Sequence, residues 1–63
     1  MNRSEEVLFS IIDGYIKNLK TCDFHFRNNT LDKNIKKEIL SVMEETAGKL
    51  MLACKDLKKE MQK

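Results

Sequence analysis

The sequence predicts an all-α fold: an antiparallel helical hairpin that dimerises into a four-helix bundle. Three observations predict it. Two long segments carry apolar residues at strict heptad spacing. A short polar cluster, Arg27-Asn28-Asn29-Thr30, separates them. Both apolar faces are wider than one helix–helix contact can cover. The chain has 63 residues and no proline, and its two glycines, Gly14 and Gly48, lie inside the periodic segments.

The first helix is expected from about residue 4 to 27. Leu8, Ile12, Tyr15, Leu19, Cys22 and Phe26 form its heptad stripe, with Phe9, Ile11 and Ile16 widening the face. Ser4 is placed to cap the start, since its hydroxyl can accept from backbone N–H groups that lack a helical partner. Glu5 and Glu6 follow in the first turn, where the helix dipole favours negative charge. The turn is expected at about 28–30. A connection that short makes the two helices antiparallel neighbours.

The second helix is expected from about 31 to 61, with Thr30 as its N-cap and Asp32 in its first turn. Leu40, Met43, Ala47, Leu50, Cys54, Leu57 and Met61 form one unbroken apolar stripe. Ile35, Ile39, Val42, Thr46 and Ala53 form a second stripe beside it. Together they cover close to half the circumference, which suits a bundle rather than a two-stranded coiled coil. Lys55, Lys58, Lys59 and Lys63 crowd the last turns, where cations are favoured.

The run Leu50-Met51-Leu52-Ala53-Cys54 is the longest apolar stretch. Five helical residues step ~400° around the axis, at about 100° each. Leu50, Ala53 and Cys54 fall within the wide face and Met51 at its edge. Leu52 is expected nearly opposite, among Glu45, Gly48, Lys49 and Asp56. Beside a glycine, it could let another helix approach closely.

Bulk properties narrow the function. A chain this short buries only about 60% of its unfolded surface, so it is marginal alone and usually relies on disulfides, a metal or a partner. Two cysteines are too few for a disulfide framework. Beginning at Met1 without a signal-like segment, and with no ~20-residue apolar span, the chain reads as one complete, soluble, cytoplasmic domain that does not enter a membrane. Association, most economically as a twofold homodimer, is then the expected source of stability. Twelve basic and ten acidic residues give a net charge of +2, too balanced to argue for nucleic acid by charge alone.

Candidate chemistry is sparse. Cys22 and His25 share a helix face at i, i+3 and could supply half of a zinc site, but no second pair accompanies them. The same pair offers a nucleophile and a base without an orienting third group. No metal, cofactor or enzymatic activity is therefore expected. Asn28-Asn29-Thr30 matches a glycosylation sequon and equally serves as turn and cap chemistry. Lys33, Lys37, Lys55, Lys58 and Lys59 are expected along one edge of the second helix, with Glu44 interrupting them. They read as flanking charges that set pairing in a bundle, or as a phosphate-tracking stripe.

Leu31-Asp32 after the turn, and the later Ala47, Leu50 and Cys54, resemble the second helix of the family of the small plasmid protein Rop. The likeness covers about 25 residues and consists mostly of heptad spacing. That family is a helical hairpin of similar length that dimerises into a four-helix bundle and binds paired RNA loops. The resemblance implies the same architecture, and RNA as a ligand. The chain departs from the family at Gly14, where a phenylalanine would face the RNA, and Asn18 matches the family's RNA-face glutamine only loosely.

The expected function is a small non-enzymatic regulator or adaptor, docking a helical surface on another protein with Phe24, Met51 and Leu52 as exposed anchors. Two alternatives are a dimeric RNA- or DNA-binding regulator using the Lys edge, and a small chaperone or inhibitor that folds only with its partner.

Overall fold

In a computed structural model that describes all residues 1–63, the chain is two helices, α1 (Arg3–Phe26) and α2 (Lys33–Met61), packed against each other as a hairpin. No helix is long and apolar enough to cross a membrane.

Both N-termini are capped by a residue other than the expected one. Asn2 caps α1 through a reciprocal capping box: the Glu5 N–H donates to Asn2 Oδ1 at 2.9 Å, and the Asn2 N–H donates to Glu5 Oε1 at 3.1 Å. Ser4 lies inside the helix instead. Asn2 wins because only it has a glutamate three residues later to complete the box. At α2 the cap is Asp32, whose Oδ1 accepts from the Ile35 N–H at 2.9 Å. Thr30 is held in the turn: its N–H and its hydroxyl both donate to Asn28 Oδ1, at 2.9 and 2.7 Å. Such side-chain-to-backbone bonding two residues along is the ordinary turn chemistry of asparagine. Asn2→Ala and Asp32→Ala are each expected to cost about 1 kcal/mol of stability, read as a lower urea midpoint with an unchanged slope.

The seam of the hairpin follows the predicted stripe of α1. Leu8, Ile12, Tyr15, Leu19, Cys22 and Phe26 are its buried and half-buried apolar residues. In α2 the covered seam residues are Ile39, Met43, Thr46, Leu50, Ala53 and Leu57, with Cys54 half-buried at the edge of the seam. This set takes alternate members from both predicted stripes, so α2 is turned by roughly half a residue step, about 45°, from the orientation its unbroken stripe predicts. Met43, Leu50 and Leu57 face α1. Leu40, Ala47 and Met61 remain exposed and Cys54 half-exposed.

The molecule measures 48 × 15 × 10 Å. Its smallest dimension is one helix diameter, about 10 Å, so the hairpin is a single layer. Stable domains pack at least two layers around a core. Only three of 63 residues are buried, namely Ile12, Ala53 and Thr46.

Candidate functional site

The hairpin has two broad faces, told apart by which side chains of α1 and α2 meet on each. On one, Phe26 and Asp23 meet Lys36, Leu40 and Met43, with the Lys36 ammonium 5.3 Å from the Phe26 ring centroid. On the other, Cys22 and His25 meet Ile35, Ile39 and Val42, and further along Leu8, Ile11 and Tyr15 meet Lys49, Leu52, Ala53 and Asp56. These groupings set the register of the antiparallel pair. Leu8 then stands roughly level with Asp56, Ile11 with Ala53, Tyr15 with Lys49 and Cys22 with Val42, within about half a helical turn of the Phe26–Lys36 contact.

Helical periodicity of about 100° per residue places the flanking side chains. The first face, which we term the open face, gathers Phe9 and Ile16 from α1 with Leu40, Ala47, Cys54 and Met61 from α2. The charged residues close to its centre line, Glu5, Asp23, Lys36 and Lys58, lie toward its ends. The second face, the grooved face, carries Val7, Ile11, Ile35 and Val42, but Asn18 and Lys49 cross its middle and divide its two grooves. Lys49 is tied to Glu45 at 3.6 Å.

The expected anchors fall on different surfaces. Leu52 is 58% exposed but does not stand alone on the far side of α2. The turn of α2 toward Thr46 and Ala53 brings Leu52 to the wall of the groove formed by Leu8, Ile11 and Tyr15, a cleft of about 260 Å³. Met51 is exposed on the flank of the open face. Phe24, 75% exposed, lies beside the turn, its ring edge-on to His25 with centroids 5.6 Å apart. The structure therefore does not bring Phe24 and Leu52 into one site. A Cβ built on Gly48 meets nothing within 4 Å, so nothing inside the hairpin requires a glycine there.

Lys33, Lys37, Lys55, Lys58 and Lys59 are all exposed and none is ion-paired. They form two clusters at opposite ends of α2, roughly 30 Å apart at 1.5 Å per residue, with Glu44 between. Sequence position alone made them look like one stripe. The ion pairs that do form run along single helices: Asp13–Lys17, Asp23–Arg27, Glu45–Lys49 and Glu60–Lys63. Exposed pairs of this kind contribute only a few tenths of a kcal/mol each.

Cys22 and Cys54 are free thiols. Cys22 Sγ donates to Asn18 Oδ1 at 3.5 Å. Its neighbour His25 opens to the groove of Leu31, Ile35, Ile39 and Val42, with Glu38 also on its wall. No three His, Cys, Asp or Glu side chains converge to cradle a metal.

The feature that dominates the surface is apolar. Twelve large apolar side chains are exposed, against two apolar residues buried. The fold and this surface define a class: a helical hairpin of one layer with an uncovered apolar face. Comparison with protein-family models, with curated proteins and with solved structures finds no match for the chain.

Proposed function

We propose that this chain is a non-enzymatic helical interaction module, a small regulator or adaptor whose hairpin closes into a homodimeric four-helix bundle and docks a protein partner through what remains exposed. One observation carries the reading. Half of the heptad stripe of α2 faces α1, while Leu40 (44% exposed), Ala47 and Met61 (56% exposed) from the same unbroken stripe face solvent. An apolar heptad stripe is the part of a helix that burial stabilises most, and contiguous exposed apolar surface marks an interaction site.

The docking element is the groove of Leu8, Ile11, Tyr15 and Leu52. Its apolar walls suit a single helix of a partner protein laying i, i+3 and i+4 side chains into it. The Lys clusters act as steering charges around the bundle rather than as one continuous phosphate track.

A photo-crosslinking amino acid at Leu52, compared in cells with the same group at Lys37, tests this reading. A discrete protein adduct from position 52, lost on adding Ile11→Asp to a chain that stays helical, is expected. Crosslinks to nucleic acid from position 37, with none to protein from 52, would instead support the phosphate-binding alternative.

A further inference from the structure

The dimeric reading does not by itself say which face meets the second copy, or in which direction. We infer that the second copy of this chain packs on the open face with its twofold axis parallel to the helices, so that both turns lie at the same end of the bundle. The inference rests on the dimeric reading and adds the face and the orientation.

The area is of the right size. The hairpin exposes 5141 Å², whereas a compact monomer of 7.4 kDa exposes about 4,200 Å². The excess, about 900 Å², is close to the ~800 Å² that each partner contributes to a standard interface. The open face can bury that area without burying charge at its centre, since Phe9, Ile16, Leu40, Ala47 and Cys54 run along its middle. On the grooved face a second copy would have to bury the Lys49 ammonium and the Asn18 amide, and burying such groups without full compensation is costly.

Charge selects the orientation. The hairpin register puts Glu6 level with Lys58 and Lys20 level with Glu44, on the outer flanks of the open face. None of these four is ion-paired inside the hairpin. With the axis parallel to the helices, α1 of one copy lies beside α2 of the other at the same level. Lys20 then meets Glu44 of the second copy, and Glu6 meets Lys58. Phe24, the most exposed large apolar residue of the chain, comes level with Leu40 of the second copy. With the axis perpendicular to the helices and level with the middle of α2, where overlap of the two copies is greatest, α2 instead runs against its own copy in reverse. Lys33 and Lys37 of each copy then face the Lys55–Lys59 cluster of the other, and like charges at neighbouring helix flanks are destabilising. The parallel axis also leaves the two Leu52 grooves on opposite outer faces, which makes the dimer bivalent.

The test measures the distance between spin labels attached through a keto amino acid at Asn29, in the turn, alongside sedimentation of the same sample. Neighbouring helix axes stand ~10 Å apart, so turns at one end give a label-to-label distance under about 30 Å. A dimer with a distance near the 48 Å length of the hairpin overturns the orientation and leaves the dimeric reading standing. A chain that stays monomeric at millimolar concentration overturns both. Charge reversal gives a second readout. Lys20→Glu places two like-charge contacts in each dimer and is expected to weaken association roughly three- to tenfold. Adding Glu44→Lys is expected to restore it, and a double variant as weak as the single one contradicts the parallel axis.

Discussion

Ala47→Glu is expected to disperse the proposed dimer. In the isolated hairpin Ala47 is exposed, and a substitution at such a site changes stability by no more than about 0.5 kcal/mol. Helix propensity does not argue otherwise, because glutamate is nearly as good a helix former as alanine. In the proposed bundle, Ala47 would lie midway along the face that the second copy covers. There the carboxylate must be desolvated without a partner, at a cost of several kcal/mol per ion. The two copies each introduce one, so association is expected to weaken by more than a hundredfold. Ser41→Glu, at a nearby outward position, serves as the comparison and is expected to leave association unchanged. Sedimentation of the two variants at equal concentration checks the contrast. The same residue is thus inert if the hairpin stands alone and decisive if it does not.

Ile12→Ala is expected to remove most of the folding stability and to leave a measurable unfolded fraction at micromolar concentration. Ile12, 5% exposed, is the most buried residue in the chain, and it sits near the middle of α1 in the seam. Truncating a buried isoleucine to alanine costs 2–5 kcal/mol. A small domain has only about 5 kcal/mol to lose. Raising the chain concentration is expected to recover part of the helical signal, because association stabilises the folded form by mass action. Far-UV circular dichroism at several concentrations reads both effects. A variant with wild-type melting at every concentration would mean that the seam around Ile12 contributes little.

The orientation of α1 was legible because its stripe is apolar at every heptad position and because most of its opposite side is polar. Nothing competes with Leu8, Ile12, Tyr15, Leu19, Cys22 and Phe26 for the seam. In α2 two stripes lie side by side, and apolarity alone cannot say which half faces α1. The packing settles it: Thr46 and Ala53, small members of the second stripe, are buried in the seam, while Leu40 and Ala47 of the first are left outside. Leu52 lies nearly opposite the centre of the unbroken stripe, but the turn of α2 toward Thr46 and Ala53 brings it to the rim of a groove.

The cap errors have a different origin. Asn2 and Ser4, like Thr30 and Asp32, are residue types that cap comparably well, so identity could not choose between them. The glutamate at the third helical position could have chosen in α1, since Asn2-x-x-Glu5 completes a capping box and Ser4-x-x-Val7 does not. In the turn, Asn28 competes for the Thr30 side chain, a local contact two residues apart that residue type alone does not choose over capping. The Lys edge illustrates a further limit. Five lysines in sequence suggest a stripe, but α2 is long enough to split them into two clusters at opposite ends.

The central claim is that the hairpin is half of a core, completed by a second copy. Sedimentation equilibrium with far-UV circular dichroism, from micromolar to millimolar under reducing conditions, tests it most directly. The account predicts a helical species of twice the 7.4 kDa chain mass whose melting temperature rises with concentration. A fully helical monomer whose melting temperature is independent of concentration would contradict it.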